Sequence, residues 1–246
     1  MKSTIFGTGI HALILATVLS RAILAAPIAD AEPANLEKRT CVSPYVLGGA
    51  LSWAMLAATA ITEPPGIVVA IDGNIGVTPA GGITGITAGE VTGTINTNNP
   101  SAASAMATAT SVCACASAAG PTTTESYFDI TGKTFTSGIY AFSQPAVNLD
   151  AHGTVTFSGH GQFIMHIGTT LTTGANAVVA LINGATACNI FWIIGSSATI
   201  GANNIFDGIM CAYQSITFGA NATEIGLMIA ENGAITLDGG TFTKCP

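Results

Sequence analysis

Ser197-Ala198-Thr199-Ile200-Gly201-Ala202-Asn203 is followed, 18 positions later, by Ser215-Ile216-Thr217-Phe218-Gly219-Ala220-Asn221. Thr170-Leu171-Thr172-Thr173-Gly174-Ala175-Asn176 precedes the first of these by 27 positions, and Ala234-Ile235-Thr236-Leu237-Asp238-Gly239-Gly240 follows the second by 19. Thr154-Val155-Thr156, with Ser158-Gly159 as its turn, lies a further 16 positions upstream of Thr170. The unit is therefore about 18 residues long, with roughly nine extra around Asn183 to Asn189 in one copy. Short alternating strands at a fixed period, closed by Gly and Asn corners, are the signature of a β-solenoid.

Strand geometry sorts these residues into two sets. Successive side chains point to opposite faces, so Val155, Leu171, Ala198, Ile216 and Ile235 point inward. Their neighbours form two outward columns, Thr154, Thr170, Ser197, Ser215, Ala234 and Thr156, Thr172, Thr199, Thr217, Thr236. Neighbouring strands stack about 4.8 Å apart and i, i+2 residues lie about 6.7 Å apart, so the columns make a grid. Thr134-Phe135-Thr136 is a candidate further rung. Strand propensity explains threonine on such a face, but not the absence of charge, because exposed strands ordinarily recruit Lys and Glu against association. None of the ten outward positions is charged.

The charge deficit extends to the whole chain. Of 246 residues, 49% are hydrophobic and 8% charged, against roughly 25% charged in ordinary soluble domains. From residue 40 onward the only cations are Lys133 and Lys244. Two cations cannot neutralise a phosphate backbone or hold an anionic bilayer, which excludes nucleic acid and membrane surfaces as partners. Lys2, an apolar run from about Ile5 to Leu24 and small residues near Ala25 to Ala31 read as a signal peptide over residues 1–31. Residues 32–39 end in Lys38-Arg39, a dibasic processing site, so residues 32–39 are expected to be a propeptide and residues 40–246 a single secreted, extracellular, monomeric domain.

All six cysteines (Cys41, Cys113, Cys115, Cys188, Cys211, Cys245) fall in that mature part, as suits disulfides in a secreted chain. Fifteen complete pairings are possible; proximity of Cys41 and Cys245 to the two ends favours a bridge between them. Between the first strands and the main repeat, Asn99 can cap and Pro100 can open a helix over about 100–119, stopped by Gly120-Pro121. Its Ala102, Ala105, Met106, Ala109, Val112, Cys113 and Ala116 form a narrow small-residue stripe that should lie against the body.

Gly73-Asn74-Ile75-Gly76-Val77-Thr78-Pro79, Gly132-Lys133-Thr134 leading to Gly138-Ile139-Tyr140, Asn183-Gly184-Ala185 followed by Asn189-Ile190-Phe191-Trp192, and the Thr-rich terminal rungs occur in an order that resembles the large microbial ice-binding (antifreeze) protein family. The resemblance covers most of residues 45 to 243. It implies a mainly β fold, a right-handed discontinuous three-faced β-solenoid flanked by one long α-helix, with one flat face that binds an ice crystal surface. The family's Thr-Ala-x-Thr-like motif corresponds to Gly153–Thr156, Thr169–Thr172, Ser196–Thr199, Gln214–Thr217 and Gly233–Thr236, which makes the ten outward residues the expected ice-binding site. Threonine suits that role physically: its methyl limits random hydration while its hydroxyl anchors ordered water.

Other chemistries find little support. Glycosidase or lyase work needs clustered carboxylates, whereas Asp150, Asp207, Glu224, Glu231 and Asp238 are scattered, so no enzyme is expected. Gly132-Lys133-Thr134 lacks the first glycine of a phosphate loop, and His152, His160 and His166 have no metal-site spacing; neither a cofactor nor a metal is expected. Asn221-Ala222-Thr223 is a candidate N-glycosylation sequon at a corner. The rival to ice is a secreted adhesin or structural protein that binds a wall polymer, which aligned outward aromatic residues would favour.

Overall fold

The computed structural model describes Cys41 and residues 44–246; the expected signal peptide and propeptide lie outside the described residues. Among the described residues every strand pairing is parallel, in two sheets of twelve and seven strands. The seven-stranded sheet runs, in spatial order, Gly82–Thr84, Ala60–Thr62, Ala234–Leu237, Ile216–Phe218, Ala198–Ile200, Leu171–Thr173, Val147–Leu149. The larger sheet supplies the other two sides of each coil, because its long strands turn a corner. In Thr154–Ile167, Thr154 to Ser158 pair with Val178–Ile182, whereas Phe163 to Ile167 pair with Ile190–Ile194.

Chain order and spatial order differ. Trp53–Ala57 pairs with the second half of Ala222–Ala230, and Ala60–Thr62 pairs with Ala234–Leu237, so the N-terminal coils stack on the C-terminal coil. The chain then crosses from Ile95–Thr97, at one end of the larger sheet, to Thr123–Glu125 at the other. The crossing is made by helix α1, Pro100–Ala118, whose 19 residues span about 28 Å, nearly six strand spacings. The Asn99 side chain caps it by accepting from the Ala102 backbone N–H at 2.9 Å, and Pro100 occupies the first turn, where no hydrogen bond is lost.

The small-residue stripe lets α1 approach closely. Ala102, Ala105, Ala109, Val112, Cys113 and Ala116 are buried against Trp53, Leu56, Ile164, Phe191, Ile209 and Leu227 of the sheet. A Cβ added at Gly76 would stand 2.6 Å from the Trp53 ring and 3.1 Å from the Ala102 Cβ, so the strand beneath the helix has no room for a side chain there. Inside the coils an aromatic spine crosses the rungs: Phe135 stacks on Phe157 at 5.7 Å, Phe157 meets Trp192 at 5.5 Å and Trp192 meets Phe206 at 5.0 Å. Burial of this kind supplies most of the folding free energy.

The six cysteines pair as Cys41–Cys115, Cys113–Cys211 and Cys188–Cys245. The expected Cys41–Cys245 bridge is thus incorrect. The ends are not tied to each other; Cys41 and Cys211 are each tied to α1, whose successive odd positions 113 and 115 face different neighbours. Replacing both Cys113 and Cys211 by Ala removes a clamp closing 98 residues. The expected loss is about 2–4 kcal/mol of stability, measured by denaturant unfolding, with the seven-stranded sheet left in place.

Candidate functional site

The seven-stranded sheet turns one face inward and one to solvent. Val147, Leu171, Ala198, Ile216, Ile235 and Ile61 are fully or almost fully buried, as are Leu149, Ile200, Phe218 and Leu237 two residues on. Between them an outward row runs Asn148, Thr172, Thr199, Thr217, Thr236, Thr62, Thr84, each the direct register partner of the next. Six spacings make the row about 29 Å long. Thr172, Thr199, Thr217 and Thr84 are exposed, and Thr62, Thr236 and Asn148 half-buried. Thr62 donates to the Thr236 hydroxyl at 3.2 Å, across 174 residues of sequence, so the row is continuous where N-terminal and C-terminal coils meet.

The second column is quieter. Thr170, Ser197, Ser215 and Ala234 are half-buried, and the Ser197 and Ser215 hydroxyls accept backbone N–H groups of Ser215 at 3.3 Å and Ala234 at 3.2 Å. Its extension reaches Ala60 and Gly82. These residues fix the coil corner more than they offer free hydroxyls.

Two of the ten expected residues lie elsewhere. Thr154 and Thr156 belong to the larger sheet, where Thr154 pairs with Val178 and Thr156 with Ala180 and Thr134. Their place beside Leu171–Thr173 is taken by Val147–Leu149, and the row continues at its other end into Ala60–Thr62 and Gly82–Thr84. Asn148, Thr62 and Thr84 are therefore face residues that the repeat did not reveal. The third side of the coils, which carries Thr154 and Thr156, is rougher and charged: Val68 projects with 73% of its surface exposed, and Lys244 pairs with Asp72 at 3.0 Å.

Ionisable groups are kept off the row. Glu63, next to Thr62, points inward, and neither its carboxyl oxygens nor those of Glu224 have a hydrogen-bond partner. Burial pushes the Glu224 carboxyl well above the ordinary carboxylate range, with Asp207 adding to the shift; burial and then Glu90 raise Glu63, and burial raises Asp207 and Glu231. Such groups bind protons more tightly folded than unfolded. Their contribution to stability is fully present below about pH 4 and is lost as pH rises through the raised values. Asp72 and Glu90 act oppositely: the Thr92 hydroxyl and then Lys244 lower the first, and Thr87 lowers the second, so their contributions fade only as pH falls through those lowered values. Melting temperature is accordingly expected to be highest in mild acid and to decline as pH rises through the raised values, with a smaller decline in Glu224→Gln. An unchanged slope in that variant would remove Glu224 as the source.

Among the described residues no cluster of three or more His, Cys, Asp or Glu side chains could hold a metal ion, and no helix is long and apolar enough to cross a membrane. Asn221 is exposed at the corner after Ile216–Phe218, in the left-handed region with φ 55°. The described residues thus combine a row of in-register threonines on one side of a parallel solenoid with one long helix packed on the larger sheet. The family model described as Ice-binding-like matches residues 55–243. The chain belongs to the ice-binding-like family.

Its relatives include an ice-binding protein of Nostoc sp. (strain HG1), 32% identical over 200 residues that cover 78% of this chain and 71% of the Nostoc protein. Among solved structures, the ice-binding protein of the Antarctic ascomycete Antarctomyces psychrotrophicus superposes with a TM-score of 0.74 at 32% identity, over 82% of this chain and 98% of that one. A domain of Shewanella frigidimarina ice-binding protein 1 gives 0.71 at 27% identity, over 82% and 97%. The ice-binding-like family fold therefore extends over the solenoid and its helix.

Proposed function

We propose that this protein adsorbs to ice through the seven-stranded face, slowing ice growth and recrystallisation without catalysing a reaction. The observation that carries the reading is the unbroken, charge-free row from Asn148 to Thr84, six of its seven residues threonine, held in register by backbone ladders. Methyl and hydroxyl groups repeated on a stiff support can hold a layer of ordered water, and many weak contacts presented together act as one. Membership of the ice-binding-like family supports the same conclusion. Adsorbed molecules would pin the ice surface and leave it to grow only between them.

The three disulfides suit an oxidising compartment, which supports secretion. The working site comprises Thr172, Thr199, Thr217, Thr236, Thr62, Thr84 and Asn148, bordered by Thr170, Ser197, Ser215 and Ala234. A glycan on Asn221 would stand at the corner of this face and not upon it. The wall-polymer reading lacks a stacking platform, since no aromatic residue occupies the outward row. A single ice crystal held in dilute protein is expected to facet and to stop growing within a window below its melting point; unaltered disc growth would reject ice adsorption.

A further inference from the structure

Between the C-terminal half of α1 and the corner joining the two sheets runs a groove of about 600 Å3, a volume typical of small-molecule sites. Its floor follows from one position repeated in four coils. Ile167, Ile194, Ala212 and Ala230 are in register, so the next residues, Gly168, Gly195, Tyr213 and Glu231, follow one another across the corner. The two glycines leave a trough, and Tyr213 and Glu231 close it. A Cβ at Gly195 would lie 2.2 Å from the Gly168 carbonyl oxygen, so the trough cannot be filled by a side chain from that position. Cys113 and Ala114 of α1 form the opposite wall, anchored by the Cys113–Cys211 bridge.

The polar chemistry of this groove is one-sided. Glu231 is half-buried, and among the described residues its carboxylate has no hydrogen-bond or ion-pair partner. His166 also lines the groove, but its Nε2 lies 3.0 Å from the Ala116 carbonyl oxygen, which occupies that nitrogen. Among the described residues both lysines are engaged: Lys244 is bonded to Asp72, and Lys133 sits over the Tyr127 ring at 4.2 Å. The described part of a second copy would bring only the same two engaged lysines, so it offers the groove no free cation. Tyr213 is 53% exposed and offers a ring face on the coil next to Glu231.

We propose that the groove binds a small organic cation with an aliphatic body, its ammonium group held by Glu231 and Tyr213 and its hydrocarbon laid along the glycine floor against α1. A carboxylate and an aromatic face both favour an ammonium, and the disulfide and aliphatic walls favour an alkyl chain. This inference is independent of ice binding.

The test is a two-dimensional NMR titration of the protein with n-butylammonium chloride, alongside n-butanol and sodium chloride at matched concentrations. Saturable shifts confined to residues around Gly195, Tyr213 and Glu231 are expected with butylammonium in the millimolar range, at least about tenfold weaker with butanol and absent with sodium chloride. Glu231→Gln should weaken butylammonium binding about tenfold or more, and Tyr213→Ala severalfold, while the spectrum elsewhere is unchanged. Shifts that do not saturate, equal affinity for butanol, or full affinity in Glu231→Gln would each overturn the proposal. The butanol comparison uses the unaltered protein, so it stands even if a variant fails to fold.

Discussion

Thr199→Tyr combined with Thr217→Tyr should abolish most ice shaping while leaving the fold intact. These two threonines are direct register partners near the middle of the row, and both are exposed, so the new rings meet solvent and not the core. Surface substitutions away from buried groups ordinarily change stability by no more than about 0.5 kcal/mol. Two rings standing above a flat row would, however, hold the remaining threonines away from an ice surface and break the ordered water between them. Inhibition of recrystallisation should then need at least about tenfold more protein, corresponding to the loss of about 1.4 kcal/mol of adsorption free energy or more. Thr154→Tyr is the matched control, because that residue lies on the larger sheet, and its activity should equal that of the unaltered protein.

Trp192→Ala should have the largest effect on stability. The ring is fully buried, meets Phe157 and Phe206 in the spine, and donates from Nε1 to the Asp207 carbonyl oxygen at 3.0 Å. Truncation leaves a cavity in the middle coils and an acceptor without its donor, a combined cost of about 3–5 kcal/mol. For a domain of this size the melting temperature should fall by on the order of 10 °C, read by calorimetry or far-ultraviolet circular dichroism. The proposed ice-binding face should survive below that temperature, because the coils on either side keep their backbone ladders. A change below about 1 kcal/mol would mean that the spine does not carry the middle of the solenoid.

The repeat was visible in the sequence because coil corners constrain residue type. Asn176, Asn203 and Asn221 hold φ values of 60°, 56° and 55°, and Gly239 holds 85° at the corresponding turn, a region that Asn and Gly enter at little cost. The alternation of inward and outward residues was equally plain for Leu171, Ala198, Ile216 and Ile235, all buried. What alternation cannot show is which side of a coil a strand occupies. Thr154-Val155-Thr156 has the same in-and-out pattern on the larger sheet that Ser215-Ile216-Thr217 has on the smaller one. Val147-Asn148-Leu149 lacks threonine and so escaped the pattern, although it is the true neighbour of Leu171–Thr173.

Long-range closure was hidden for a different reason. Ala60–Thr62 joins the row only because the N-terminal coils dock on the last coil, a contact between positions 174 apart that no local period encodes. The cysteine pairing was hidden likewise. It depends on α1 lying along the sheet, which turns Cys113 toward Cys211 and Cys115 toward Cys41. The low charge of the chain acquires a sharper meaning from the same geometry: the row has no charged member, while the unpartnered carboxyls of Glu63 and Glu224 are folded inward.

The most direct test of the proposed ice-binding face is partition into ice. Fluorescently labelled protein, its Thr199→Tyr/Thr217→Tyr variant and its Thr154→Tyr variant would each be present while a cooled ice hemisphere grows slowly in dilute solution. The unaltered protein and Thr154→Tyr should be incorporated into the ice equally, and the double variant should be left in the liquid. Equal incorporation of the double variant, or exclusion of Thr154→Tyr alone, would contradict the assignment of the seven-stranded face.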